Sequence, residues 1–176
     1  MKLLWVKNRV LVAAAWTVLA AVQPAGAAPE RALLQTARVS RVVDGDTVWV
    51  KLEARAKPIK VRILGIDAPE ICQQGGAEAQ QALAGRVLGQ WVTLQVQPTR
   101  SRDDYGRWLA RLQWQGSDVG RWLVQSGHAW SYTYRRDPGP YASEQAMATA
   151  ARRGVFADAA AENPRQFRQR HGACAR

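Results

Sequence analysis

The sequence has 176 residues, with 25 Lys and Arg against 14 Asp and Glu, and so carries a formal charge of +11. Its two Cys and two His residues form no cluster along the chain, which argues against a zinc or copper site built from soft ligands. The basic excess favours a polyanionic partner, nucleic acid before an anionic envelope surface.

The first 27 residues are typical of a secretory signal peptide. Lys2, Lys7 and Arg9 form a basic start, residues 10–22 are apolar and uncharged, and residues 25–27 form a small-residue cleavage site. The apolar run is shorter than the roughly 20 residues that span a membrane, although an uncleaved anchor is the alternative. We expect cleavage to leave one basic domain of 149 residues, exported to a bacterial periplasm or secreted.

Three strands are predicted early in the mature chain, at residues 37–43, 47–52 and 59–65. If the second and third strands form an antiparallel hairpin, partner numbers sum to about 112. Asp46 then lies beside Asp67, and Arg62 lies across from Val50 or its neighbour. Glu70 follows just beyond. The hairpin therefore predicts a pocket that holds several carboxylates and a guanidinium group.

The remaining elements alternate between strands and helices. Strands are predicted at 92–96 and 108–114, and helices at 77–89, 119–126 and 140–153. This order predicts an α+β fold, a five-stranded OB-fold-like β-barrel with three helices packed on it. Residues 158–176 form a polar, basic tail that we expect to be ordered only if something holds it.

Cys72 and Cys174 are the two cysteines of the chain. In an exported protein two thiols favour a disulfide over a metal pair. The bridge would close a loop of about 100 residues and tie the tail beside the acidic cluster. Two free thiols are the alternative.

Asp46, Asp67 and Glu70 would supply hard oxygen ligands suited to calcium or magnesium. For Asp44 and Asp46 the alternative is a plain Asp-Gly turn, in which the carboxylates cap the backbone. The turn alone is a weaker explanation, because the hairpin would bring Asp67 and Glu70 close to Asp46. These like charges would repel one another without a cation.

Arg62 and Arg107 lie on the faces opposite the apolar residues, where guanidinium groups could pair with phosphate. A solvated barrel exterior is the alternative. Tyr132 and Tyr134 alternate with Thr133 and could flank a base, or could be ordinary core tyrosines.

Several ordered motifs are similar to those of staphylococcal nuclease and its thermonuclease relatives. They lie at residues 43–48 (VDGDTV), 61–63 (VRI), 66–70 (IDAPE), 104–107 (DYGR), 123–129 (LVQSGHA) and 153–156 (RGVF). The resemblance covers roughly residues 36–157 and marks residues 28–157 as a nuclease-like domain. It implies a calcium-dependent phosphodiesterase (endonuclease) that cleaves DNA and RNA and leaves 3′-phosphate ends.

The resemblance also implies site roles. The calcium ion (Ca2+) would be held by Asp46, Asp67 and the backbone carbonyl of Ala68, with Asp44 behind these ligands. Glu70 would be the general base or would orient the attacking water.

Arg62 and Arg107 would grip the phosphate and stabilise the transition state, and three tyrosines would contact nucleotides: Tyr105, Tyr132 and Tyr134. In two places the chain departs from the family's pattern. Asp104 stands where the reference enzyme has a phosphate-contacting Lys, which would weaken ground-state binding. The link from Gly127 to Tyr132 is also one residue shorter, which would shift the tyrosines relative to the rest of the site.

Two other functions fit the sequence less well. One is a non-catalytic OB-type module that binds single-stranded nucleic acid, and the other is an envelope protein that binds anionic lipids or glycans. A module that only bound nucleic acid would be free to lose Arg62, Glu70 or Arg107, and the chain has all three. We expect DNA and RNA as substrates, no stable protein partner, a monomer, and no transmembrane segment in the mature chain.

Overall fold

The structure, a computed structural model, describes residues 33–52, 57–172 and 174. The predicted signal peptide and most of the predicted turn at residues 53–58 lie outside the described residues. Within these described ranges, no helix has both the length and the apolar character needed to cross a membrane.

Eight strands and four helices follow one another along the described chain. The strands are β1 (Leu33–Val42), β2 (Thr47–Lys51), β3 (Ile59–Ile63), β4 (Ile66–Asp67), β5 (Trp91–Val96), β6 (Trp108–Trp114), β7 (Ser117–Asp118) and β8 (Trp130–Ser131). The helices are α1 (Gly76–Val87), α2 (Val119–Gln125), α3 (Ala142–Ala150) and α4 (Pro164–His171), with a 3₁₀ turn at Gly154–Ala157.

Five of these strands close a barrel. They pair in the order β3-β2-β1-β5-β6, and a parallel pairing of β3 with β6 joins the two ends. The predicted five-stranded α+β barrel is therefore confirmed. The short strands β4 and β8 pair with each other outside it. Successive strand residues point to opposite faces, so alternate apolar side chains fill the interior, among them Val48, Val61 and Leu112.

The register between β2 and β3 differs from the prediction. Thr47 pairs with Arg62 and Val48 pairs with Val61, so Arg62 does not lie across from Val50. Directly paired residues point to the same face of a sheet. The predicted register would have turned Arg62 toward the same side as the buried Val50, whereas the observed register pairs buried valines with each other.

Helix α1 buries the residues that its apolar spacing predicts, and the described chain has one helix more than predicted. Helix α1 buries Ala79, Leu83 and Val87 at successive turns. The prediction of three helices was one short, because helix α4 lies within the tail. Its eight residues contain a single large apolar side chain, Phe167, so no apolar period marks it. Asn163 caps its start by accepting a hydrogen bond from the backbone N–H of Arg165.

Tyr141 joins helix α3 to the barrel and offers a test of the fold. Its buried hydroxyl donates to Asp118 Oδ2 at 2.8 Å and accepts from Arg111 Nη1 at 3.0 Å. Burial, followed by the Asp118 carboxylate, raises the pKa of Tyr141. We expect Tyr141→Phe to lower the free energy of unfolding by about 1.5–3 kcal/mol, because both partners are charged. The urea midpoint measures this, with Tyr132→Phe at an exposed position as the control. Equal midpoints for the two variants would contradict the prediction.

Candidate active site

The loop between β1 and β2 carries Asp44 and Asp46. A side chain at Gly45 would place its Cβ 2.6 Å from the Cβ of Ala68, so only glycine allows this loop to pack against the segment after β4. Asp44 Oδ1 accepts a hydrogen bond from the Asp46 backbone N–H at 3.0 Å. The Asp-Gly turn weighed from the sequence is therefore present, and it orients Asp46 as well as turning the chain.

Asp67 reaches the same place through a second turn. Gly65, with a φ of 83°, reverses the chain between β3 and β4, and Asp67 follows with 3% exposure. The backbone N–H of Ala68 donates to Asp46 Oδ2 at 3.2 Å, which joins the loop of Asp46 to the end of β4. The predicted proximity of Asp46 and Asp67 is thus present, although it arises from this turn and not from continued strand pairing.

Arg62 lies between the two carboxylates. Its Nη1 lies 3.1 Å from Asp46 Oδ2, and its Nη2 lies 3.2 Å from Asp67 Oδ1. Nη1 also donates to the backbone carbonyls of Ile63 and Ile66. Three hydrogen bonds and the ion pair with Asp46 therefore fix the guanidinium group, which places it at the site without the mobility of a surface arginine.

Arg107 is held from the other side by a residue that sequence reasoning missed. Asp103 accepts from Arg107 Nε at 2.7 Å and from its backbone N–H at 2.9 Å. Partial burial works against ionisation of Asp103, but the hydrogen bonds from Arg107 hold its pKa below the ordinary value. Arg107 Nη1 lies 3.5 Å from Thr47 Oγ1, beside Asp46. Arg107 thus reaches the site from just before β6, held in place by a charged partner.

Burial works against ionisation of two carboxyl groups at the site. Burial, followed by the negative charge of Asp46, raises the pKa of Asp44 to about 7. Burial also raises the pKa of Asp67, although hydrogen bonds from Arg168 and the charge of Arg62 oppose the shift. Groups whose ionisation is resisted in this way are stabilised by added positive charge, as a divalent cation would supply.

The donor chemistry of the site fits a hard cation. Asp46 and Asp67 offer carboxylate oxygens, which calcium and magnesium prefer together with carbonyls and water. Over the described part of the chain, no three Asp, Glu, His or Cys side chains form a metal-holding group. A cation would therefore need ligands beyond these two side chains. The backbone carbonyl of Ala68, which was predicted as a ligand, and water molecules could supply them.

Glu70 lies on the loop after β4, where Gln73 fixes the backbone. The Gln73 side chain accepts from the Glu70 N–H at 3.2 Å, and the Gln73 N–H donates to the Glu70 carbonyl at 2.8 Å. The Glu70 carboxylate reaches the same cluster as Asp67, since one guanidinium group contacts both.

That guanidinium group belongs to Arg168 of helix α4, which sequence reasoning also missed. The confirmed disulfide between Cys72 and Cys174 holds the tail beside the acidic loop. A signal was available in the sequence, since a basic tail tied next to an acidic cluster brings opposite charges together.

The three tyrosines predicted to contact nucleotides are exposed, and the alternative that Tyr132 and Tyr134 are core tyrosines is therefore wrong. Tyr105 lies next to Arg107, whose guanidinium carbon is 5.5 Å from the ring centroid. The backbone of Tyr132 donates to the carbonyl of Gly65, in the turn that leads to Asp67. Tyr134 lies two residues further, under Arg135. Tyr105 and Tyr132 thus adjoin segments that carry site residues.

Comparison with known proteins finds the family described as staphylococcal nuclease homologue, whose model matches residues 60–158. Protein ParB of Escherichia coli is 35% identical over 144 residues, covering 74% of this chain and 77% of that protein. An uncharacterized endonuclease of Escherichia coli O157:H7 is 36% identical over 136 residues, covering 76% and 84%. Micrococcal nuclease of Shigella flexneri is 35% identical over 144 residues, covering 74% and 79%.

The family match spans the middle of the site. It begins in β3 and includes Arg62, Asp67 and Glu70. Asp46 lies before it and Arg168 lies after it. The acidic loop at β2 and helix α4 therefore complete the site from outside the matched residues.

Proposed function

The chain belongs to the staphylococcal nuclease family, and we propose that it is a calcium-dependent phosphodiesterase that hydrolyses DNA and RNA to 3′-phosphate products. That it is a nuclease follows from the family and from relatives named endonuclease and micrococcal nuclease. The metal, the sugar tolerance and the product ends are the proposed part.

One observation carries the proposal. Asp46, from the loop before β2, and Asp67, at the end of β4, share one guanidinium group at 3.1 and 3.2 Å. Burial of two neighbouring carboxylates does not stabilise the fold, because removing each charge from water costs free energy. Their arrangement instead favours a site for a hard cation, with the carbonyl of Ala68 as a further ligand. When bound, calcium would supply positive charge at a phosphoryl oxygen and help to orient water.

The remaining residues have chemically matched roles. Glu70 would accept a proton from the attacking water as the new P–O bond forms. The P–O5′ bond breaks in the same displacement, and the 5′-oxygen takes up a proton from solvent water and leaves as a hydroxyl group, so the net reaction consumes one water molecule. Arg62 and Arg107 would neutralise the charge that builds on the equatorial oxygens. Asp44 would hold Asp46 in place through its backbone hydrogen bond.

Substrate binding would use both charge and stacking. The chain carries a large basic excess, and exposed Tyr105, Tyr132 and Tyr134 offer ring faces to unpaired bases. Base stacking tolerates any sequence and contributes roughly 1–3 kcal/mol per base. This combination supports a nuclease that does not discriminate strongly between sequences.

We propose further that residues 1–27 direct export and that residues 28–157 form the nuclease domain of a monomeric protein, periplasmic or secreted. The Cys72–Cys174 disulfide supports this location, since such bonds persist mainly in oxidising compartments.

Digestion of single-stranded DNA by purified mature protein tests the proposed activity. We expect cleavage with calcium, none with a calcium chelator, and recovery when calcium is returned in excess. The product ends should gain a free 3′-hydroxyl only after phosphatase treatment. Cleavage that persists in chelator would contradict the metal dependence, and binding without cleavage in every condition would favour the non-catalytic module.

A further inference from the structure

Arg168 occupies the acidic side of the proposed site. Its Nη1 donates to Asp67 Oδ1 at 3.1 Å and to Glu70 Oε1 at 2.9 Å. Its Nη2 donates to Asp67 Oδ2 at 2.9 Å. One guanidinium group therefore engages both oxygens of a proposed metal ligand and one oxygen of the proposed base. The side chain is 36% exposed, so it could leave without opening the core.

These contacts conflict with the roles proposed for the same atoms. A cation bound through Asp67 would take an oxygen that now accepts a hydrogen bond from Arg168. Glu70 would likewise have to exchange its Arg168 partner for water before it could accept a proton. Arg168 supplies positive charge to the carboxylates as a metal would, but its donors point at the oxygens that the metal would need.

Helix α4 delivers Arg168 through attachments on both sides of it. On one side, Gln73 Nε2 donates to the carbonyl of Glu162, just before the helix. On the other side, Cys174 is bonded to Cys72, two residues after Glu70 in the sequence. The helix is thus fastened to the loop that carries the proposed base. Such attachment raises the effective concentration of the guanidinium group at the site.

We propose that Arg168 is an internal competitor for the cation site, paired with Asp67 and Glu70 until a divalent cation displaces it. The proposal rests on the calcium site proposed above and adds a residue, outside the family match, that lowers calcium affinity. The Cys72–Cys174 bond strengthens the competition because it keeps helix α4 beside the site.

Isothermal titration calorimetry with calcium tests this without any measurement of cleavage. We expect Arg168→Gln to lower the Kd for calcium at least about fivefold, because the cation no longer has to displace charge-assisted hydrogen bonds. Arg165→Gln removes the same charge from an exposed position on the same helix and is expected to change Kd by less than about twofold. Arg168→Lys keeps the charge but loses the guanidinium group that contacts two carboxylates at once. Its Kd for calcium should lie between those of Arg168→Gln and Arg165→Gln.

Removal of the disulfide supplies the second arm. We expect the double variant Cys72→Ser/Cys174→Ser to lower the Kd at least about twofold in a background with Arg168. The same change in the Arg168→Gln background should have no further effect, because both act through one contact. An unchanged Kd on disulfide removal with Arg168 present would overturn the role of the disulfide.

The outcomes separate this inference from the proposed function. Calcium binding with equal or higher Kd in Arg168→Gln would overturn the competition and leave the calcium site standing. Heats no larger than dilution in the parent protein and in every variant would overturn the calcium site and the competition together. An Arg168→Lys variant indistinguishable from the parent would show that charge alone acts, and would overturn direct competition through the paired oxygens.

Discussion

Replacement of Arg62 by Ala should lower the turnover number of the nuclease by about a hundredfold or more. Removal of a comparable charge-stabilising donor elsewhere costs about 100- to 1000-fold, or about 2.7–4 kcal/mol. Arg62 lies within 3.2 Å of both Asp46 and Asp67, so its loss would also leave two nearly buried carboxylates without this counter-charge. Single-turnover cleavage of a short DNA strand at saturating calcium measures the effect.

Three comparisons sharpen the Arg62 prediction. Arg107→Ala should lower the turnover number by a similar factor, because Arg107 lies on the opposite side of the site, where it contacts Thr47. Arg62→Lys should recover only part of the loss, since an ammonium group cannot contact two oxygens as a fork. Arg38→Ala, an exposed cation on β1, serves as the matched control and should change turnover by less than about threefold. A loss below about tenfold for Arg62→Ala would argue against a transition-state role.

Replacement of Glu70 by Gln should lower turnover by about 100- to 10,000-fold, the usual contribution of a positioned general base. Gln keeps the size of the side chain and can still accept a hydrogen bond, but it cannot take up the proton. The Glu70 side chain is one-quarter exposed, so it is open to water. Single-turnover kinetics with DNA measure the loss, and KM should change far less than turnover.

Glu78→Gln provides the matched control for Glu70. Glu78 is exposed on the first turn of helix α1, a few residues beyond the loop that carries Glu70. It loses the same charge and should retain turnover within about threefold. A Glu70→Gln enzyme within tenfold of the parent would show that another group takes the proton.

Competition from Arg168 would change how these variants are compared. Glu70→Gln removes the negative charge that strengthens the hydrogen bond from Arg168 Nη1, so we expect calcium affinity to rise while turnover falls. Kinetic constants for Glu70 and Arg168 variants therefore need to be measured at calcium concentrations that saturate each one. Otherwise, an effect on cation binding would be mistaken for an effect on proton transfer.

Most of the barrel could be predicted from the sequence, because a strand with one buried face has apolar residues at alternate positions. The alternation of Val48 and Val50, and of Val61 and Ile63, marks strands whose inner faces are buried. Helix α1 was equally visible through Ala79, Leu83 and Val87. The cysteine pair was also readable, since two thiols in a chain predicted to be exported favour a disulfide. The roles predicted for the site residues came from the resemblance of several motifs to those of the staphylococcal nuclease family.

Only the tertiary structure decided how the charged residues are paired. The register that pairs Arg62 with Thr47 depends on which faces of two strands are buried together. Asp103 beside Arg107, and Arg168 beside Asp67 and Glu70, leave no periodic mark, because a charged contact needs no regular spacing. The contact of Arg168 with Asp67 spans 101 residues and depends on a helix almost without apolar side chains. Sequence periodicity indicates which side chains are buried. The pairing of distant charged residues depends instead on the tertiary fold that brings their segments together.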